Sequence, residues 1–255
     1  MNTKYEEINE QGHNIRCKLY YNDLNAVRKA ILFCTGFAGH KDNQAAFKFA
    51  EKVLSKHKDT MVFVFDWPAH GDDVKKKLSL TDCDTYLTLV LSELTDHFHA
   101  EKLYAYATSF GGYLALKYIQ EHGNPFLKIA LRCPAVNMYD TLTRAIMKND
   151  EADRLKKGKD VQVGFDRKVT VTPALLEELH SYDVRQLDYL DYAEDLLILH
   201  GTADEVVPFD VSREFAENNL IEFIPVEKAD HRFQNPVHMS LATKYVMEFF
   251  DLQNN

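Results

Sequence analysis

The chain has 255 residues, 45% of them hydrophobic, and a formal net charge of −9 at pH 7. That length fits one large domain, or one domain with an insertion, and such a composition can bury a substantial core. The acidic balance, with no broad basic stripe to offset it, argues against nucleic acid or an anionic membrane as the main partner.

In chain order, the polar, charged N-terminus lacks the apolar stretch of a signal peptide. Residues 15–21 and 30–35 read as strands with no helix between them, which predicts an antiparallel edge. Residues 43–57 have helical periodicity. The run 61–65, MVFVF, is continuously apolar, the mark of a strand buried on both faces. The run 72–77 reads as a solvated loop, 81–98 as a helix and 102–107 as a strand. A helix over 110–122 stops at Gly123-Asn124-Pro125, and a strand over 127–133 ends at Pro134.

From 137 to 194 the rhythm changes to polar, charged sequence without a strongly apolar strand. Here 141–157 reads as one amphipathic helix and 161–171 as a hairpin around Gly164. A further helix begins at Pro173 with Thr172 as its cap. The first rhythm then resumes, with strands at 196–199 and 221–226 and helices at 209–218 and 239–250. Strands alternating with helices specify a mostly parallel sheet with helices on both faces. The expected division is therefore a core of 1–136 and 195–255 with an inserted cap of 137–194.

No apolar run approaches the ~18 residues that span a bilayer. Cys17, Cys34, Cys83 and Cys133 have no C-x-x-C spacing, and Cys34 and Cys133 lie in apolar runs that read as buried thiols. A cytoplasmic, reduced protein is the resulting expectation. His97 and His99, two apart at a helix end, point to different faces, so no metal-ligand spacing appears.

The informative motif is Ala107-Thr108-Ser109-Phe110-Gly111-Gly112, between a predicted strand and a predicted helix. Small residues two positions either side of a serine permit a sharp strand-to-helix turn that lifts the hydroxyl clear of the sheet. Serine needs a base, usually histidine, and the imidazole needs an orienting carboxylate. Asp204 and His231 supply these roles, each just beyond the C-terminal end of a strand, where open α/β sheets place ligands. Ser109 also suits a plain helix N-cap, Glu205 is an adjacent rival to Asp204, and Asp230 reads as a loop residue.

With these motifs the chain resembles an α/β-hydrolase over essentially its full length, with Ser…Asp…His in that family's order. The stretch 34–41, CTGFAGHK, resembles the H-G-F-x-G-H-K loop of feruloyl and cinnamoyl esterase-like and serine aminopeptidase-like members. The stretch 66–72, DWPAHGD, resembles their D-x-x-G-H-G segment, and 200–208 their G-x-x-D-x-x-V-P turn. Ala107, Thr35 and Ala69 stand where the family pattern has glycine, histidine and glycine.

The resemblance implies an α/β-hydrolase fold with a small inserted cap and hydrolysis of small or aromatic carboxylic esters without a metal or organic cofactor. Ser109, Asp204 and His231 would be catalytic, and the backbone N–H groups of Phe37 and Phe110 would form the oxyanion hole. His40 and Phe165 are the candidates for the substrate pocket, and His200 reads as structural. The same triad serves thioesterases, monoacylglycerol-type lipases and peptidases, and the fold also hosts non-catalytic receptors and scaffolds. The expected partner is a small-molecule ester, with no nucleic acid or membrane, and the edge strands and the cap are the surfaces for a homodimer.

Overall fold

The computed structural model describes residues 1–73 and 77–252. Residues 74–76, part of the run expected as a solvated loop, lie outside the described residues. An eight-stranded sheet is formed by β1 (Asn2–Glu10), β2 (His13–Tyr21), β3 (Lys29–Cys34), β4 (Thr60–Phe65), β5 (Lys102–Thr108), β6 (Lys128–Arg132), β9 (Leu196–Gly201) and β10 (Glu222–Val226). The strand order is β1-β2-β4-β3-β5-β6-β9-β10. Pairing is antiparallel at β1/β2 and β2/β4 and parallel throughout the rest.

Strand direction follows from the connections. Two-residue turns join antiparallel strands, whereas parallel strands need a crossover, usually a helix. Gln11 and Gly12, both at positive φ (50° and 78°), make the tight turn between β1 and β2. The crossovers are α1 (Gln44–Lys56), α2 (Leu80–Ser92), α3 (Phe110–His122) and α7 (Phe209–Asn218), and α8 (Pro236–Phe249) closes the chain.

Alternate residues of the central strands feed opposite cores. Ile31, Phe33, Val62 and Val64 pack with α1 and α8. Leu32, Phe63, Ala105 and Leu131 pack with α2, α3 and α7. Every residue of β4 is buried, as its unbroken apolar run requires.

β1 escaped the sequence reading. Eight of its nine residues are not buried, Ile8 being the one that is. A charged edge strand carries little hydrophobic signal, and such charge protects an exposed edge from pairing with other chains. Pro225 in β10, at the opposite edge, is placed where a missing ladder N–H is tolerated.

Between β6 and β9 lie a single turn α4 (Met138–Asp140), α5 (Asn149–Lys156), a hairpin of β7 (Val161–Val163) and β8 (Val169–Val171), and α6 (Pro173–Ser181). The single helix expected over 141–157 is not formed. A π-helical stretch, Thr141–Ile146, ends in extended backbone at Met147 and Lys148, with ψ of 141° and 158°. The Glu151 carboxylate then accepts from the Lys148 N–H at 2.8 Å and starts α5 afresh. The break places Ile146 and Met147 in the core rather than along a solvated helix.

The segment shares the sheet's core. Leu142, Val163, Leu175 and Tyr189 belong to the same buried cluster as α2 and α3. The Tyr113 hydroxyl donates to Tyr182 O (3.0 Å), and the Leu80 N–H donates to the Glu178 carboxylate (2.8 Å). No helix among the described residues is long and apolar enough to cross a membrane.

Candidate active site

The strand order reverses direction at β3, whose neighbours β4 and β5 follow it on opposite sides. The connections leaving β3 and β5 therefore diverge, opening a crevice beyond their C-terminal ends. Ser109 follows β5 at that point, with φ 51° and ψ −115°, in a region a serine rarely adopts. The turn is held by its own N–H bonding to Arg132 O (3.0 Å) and its carbonyl accepting from Tyr113 and Ala135 (3.1 Å each). No side-chain capping bond is made by Ser109, so the hydroxyl is not spent as a helix cap. A Cβ on Gly111 would lie 2.6 Å from Cys34 O, so only glycine lets α3 approach β3 this closely. Ala107, in place of the expected glycine, sits fully buried in β5 without displacing the turn.

Asp204 and His231 are brought together by the ends of β9 and β10. A Cβ on Gly201 would lie 2.2 Å from Ala229 O, so the two connections cross in near contact. The Ala203 N–H bonds Ala229 O (3.0 Å), and the Lys228 N–H bonds the Thr202 hydroxyl (2.8 Å). Across this junction His231 Nδ1 lies 2.7 Å from Asp204 Oδ2, and His231 Nε2 lies 3.0 Å from Ser109 Oγ. The other Asp204 oxygen accepts from the N–H groups of Val206 and Val207 (2.8 Å each). Burial alone would raise the Asp204 pKa, but hydrogen bonds from His200 and His231, with the nearby imidazole charge, hold it far below the usual carboxylate range.

The rivals have other duties. The Glu205 carboxylate accepts from the His231 backbone N–H (3.4 Å), and Asp230 closes its own loop through the Gln234 N–H (2.9 Å). His200 has a larger part than sequence suggests. Completely buried, its Nε2 lies 3.1 Å from both Asp204 Oδ2 and Val207 O. Since both neighbours only accept, the proton must be on Nε2.

Gly36 lies against the serine, where a Cβ would be 3.2 Å from Ser109 Cβ. The N–H groups of Phe37, in this loop, and of Phe110, the first residue of α3, make no hydrogen bond among the described residues. Their rings pack edge-to-face with centroids 5.9 Å apart, and His70 stacks on Phe110 at 6.1 Å. Thr35, at the position where the resemblance has histidine, accepts the Trp67 indole N–H on its carbonyl (3.0 Å).

A cleft of about 360 Å³ opens above Ser109. Phe37, His40, Phe165 and His231 line it with Ser109, whereas Asp204 lies behind His231 and the Phe110 ring is buried beneath. Burial, then the nearby Arg167 guanidinium, lowers the His40 pKa. Sequence reasoning missed Arg132, Ile146, Arg167 and Arg232, which also line the cleft. Of these, only Arg132 left a trace, as a charged residue directly after the apolar run 129–131.

Cys133, His200 and Asp204 bring a thiol, a ring nitrogen and a carboxylate within 4.8 Å of one another. Burial pushes the Cys133 pKa well up, so its thiol stays protonated, and Asp204 already accepts from four donors. This is a poor donor set for a metal, which needs deprotonated ligands.

The fold is that of the alpha/beta hydrolases. A family model described as alpha/beta hydrolase fold matches residues 29–158, just over half of the chain, and the chain belongs to that family. Sequence comparison with curated proteins gives no match. Among solved structures it is similar to Est1E from Butyrivibrio proteoclasticus with ferulic acid bound (TM-score 0.78, 17% identity, 97% of this chain and 98% of that one). It is also similar to alpha/beta hydrolase domain-containing protein 10 from mouse (TM-score 0.71, 15% identity, 98% and 99%). A third likeness is to the esterase domain of a Rhodothermus marinus protein (TM-score 0.69, 17% identity, 98% of each chain). At these identities the likeness is one of fold.

Proposed function

We propose that the protein is a serine hydrolase that cleaves carboxylic esters of small or aromatic acyl groups through an acyl-enzyme. The observation that carries this reading is the unbroken chain from Ser109 Oγ through His231 to Asp204, with links of 3.0 and 2.7 Å.

Ser109 Oγ attacks the ester carbonyl while His231 Nε2 takes its proton. The oxyanion that forms is stabilised by the Phe37 and Phe110 N–H groups, each such donor being worth about 10²–10³ in rate. His231 returns the proton to the departing alcohol as the carbonyl–oxygen bond breaks. Water then attacks the acyl-enzyme, giving its proton to His231, and the acid leaves as Ser109 is reprotonated. Asp204 accepts from Nδ1–H throughout, fixing the tautomer that leaves Nε2 free as the base. Residues 137–194 serve as a cap, a role supported by Ile146, Phe165 and Arg167 lining the cleft beside core residues.

A fluorophosphonate is expected to label wild-type protein at Ser109 and to leave Ser109→Ala unlabelled. p-Nitrophenyl and hydroxycinnamoyl esters should be turned over by the wild type and not by the variant. Equal turnover by both proteins would sink the reading, and absence of labelling would favour a non-catalytic receptor. Thioester, monoacylglycerol and amino-acid amide substrates in the same assay separate the other hydrolase classes.

A further inference from the structure

Arg132 ends β6 with its side chain on the α1 and α8 side of the sheet, against Met239 and Phe233. It is 8% exposed and lines the cleft that contains Ser109, to whose backbone its own is bonded. No carboxylate oxygen lies within 4.0 Å of its guanidinium among the described residues. Its partners carry no negative charge: the Met239 sulfur at 3.1 Å, the Phe233 ring at 5.3 Å and the nearby buried Tyr106 hydroxyl. Nε is buried without any partner.

A guanidinium does not shed its proton, so this buried charge cannot be relieved by neutralisation. Burying such a charge unpaired is costly, and it is expected to be compensated when the site is filled. Two of the cleft's three other charged lining residues, Arg167 and Arg232, carry the same sign, the third being Asp166. Arg167, on the exposed hairpin, has no carboxylate within 4.0 Å among the described residues. Arg232 is paired with Asp166 at 3.3 Å. Three of the nine arginines thus face one cleft in a chain of net charge −9. The acids nearby have other partners: Asp166 pairs with Arg232, Asp204 with the two histidines, and the Glu205 carboxylate accepts from the His231 backbone N–H.

We propose that the ester this site takes carries a second, ionised acid group, a carboxylate that pairs with Arg132 and is approached by Arg167. A carboxylate matches the planar guanidinium fork, and one negative charge balances the one buried positive charge. The inference rests on Ser109 being the nucleophile. It adds that the substrate is a half-ester of a short dicarboxylic acid, since Arg132 and Ser109 are adjacent across the sheet.

The test compares the p-nitrophenyl half-ester of glutaric acid with neutral p-nitrophenyl butyrate. Wild type should favour the anionic ester in kcat/KM by roughly 10- to 100-fold, the worth of one charge-assisted hydrogen bond. Arg132→Met should abolish that ratio, Arg132→Lys should keep part of it, and Arg167→Gln, on an exposed loop, should lower it several-fold. Glutarate should also slow fluorophosphonate labelling of the wild type and raise its Tm, and do neither in Arg132→Met. Turnover of the neutral ester with no anionic preference, or a preference that survives Arg132→Met, would overturn the inference while leaving the esterase reading intact. Failure of all turnover and labelling would overturn the esterase reading. A glutarate Tm shift lost in Arg132→Met would then still support the anion site, and no shift would overturn it too.

Discussion

Asp204 accepts from four donors: two backbone N–H groups on one oxygen and two histidines on the other. This makes Asp204→Asn a sharp probe. The backbone donors would keep the amide oxygen on their side and turn the NH₂ toward His200 and His231. His231 would then have to accept on Nδ1 and place its proton on Nε2, facing Ser109, where it blocks the base. A fall in kcat of roughly 10³–10⁴-fold is expected, read by steady-state ester hydrolysis with the fold checked by circular dichroism. A loss of less than about tenfold would show that the carboxylate does not set the tautomer. The placement of Ser109, Asp204 and His231 was legible in the sequence because each follows a strand, at a turn of small or polar residues whose punctuation is plain. Arg132 was not, because the environment that makes it unusual comes from α8 and the His231 loop, both distant in the chain.

At the scale of elements, the β4–α2 connection supports the proposed oxyanion hole through His70. This ring is fully buried, stacks on Phe110 and meets Phe37 edge-on at 5.8 Å. Its Nδ1–H donates to Pro68 O (2.8 Å), and its Nε2 has no partner. Protonation would bury a positive charge and an Nε2–H with no acceptor, and burial accordingly pushes the pKa down from 6.5 to about 4 despite the Pro68 bond. The unfolded chain therefore binds more protons than the folded one between those values, so folding stability rises with pH across that window. Stability from this group is fully present above pH 6.5 and is lost as pH falls toward about 4. The loss amounts to about 3 kcal/mol. His70→Phe keeps the aromatic stack and removes the titration. Urea midpoints measured at several pH values should fall less steeply in the variant, and parallel slopes would refute the assignment. The resemblance pointed to the segment containing His70, but the stack did not show in it, because ring packing is set by how three loops meet. The same limit explains the helix misread over 141–157: amphipathic periodicity continued through Met147, while burial of Ile146 and Met147 required extended backbone there.

Across the whole molecule, the residues of 137–194 and the sheet's α2/α3 face form one buried cluster. Such sharing predicts that the chain opens as one cooperative unit rather than shedding the segment first. The cysteines provide the readout. Cys17, Cys34 and Cys83 lie on β2, β3 and α2, and Cys133 just follows β6, all buried and free. Burial pushes every one of these thiols up, Cys34 to about 12, and leaves almost no reactive thiolate near neutral pH. A chromogenic disulfide reagent at about pH 8 should therefore find no fast-reacting thiol in the native protein, and four per chain in strong urea. In native buffer the four should react together, at a rate that falls with any stabilising ligand, because each waits on the same global opening. One equivalent reacting early would instead place a local opening at that cysteine, and its identity by mass spectrometry would locate where the shared core divides.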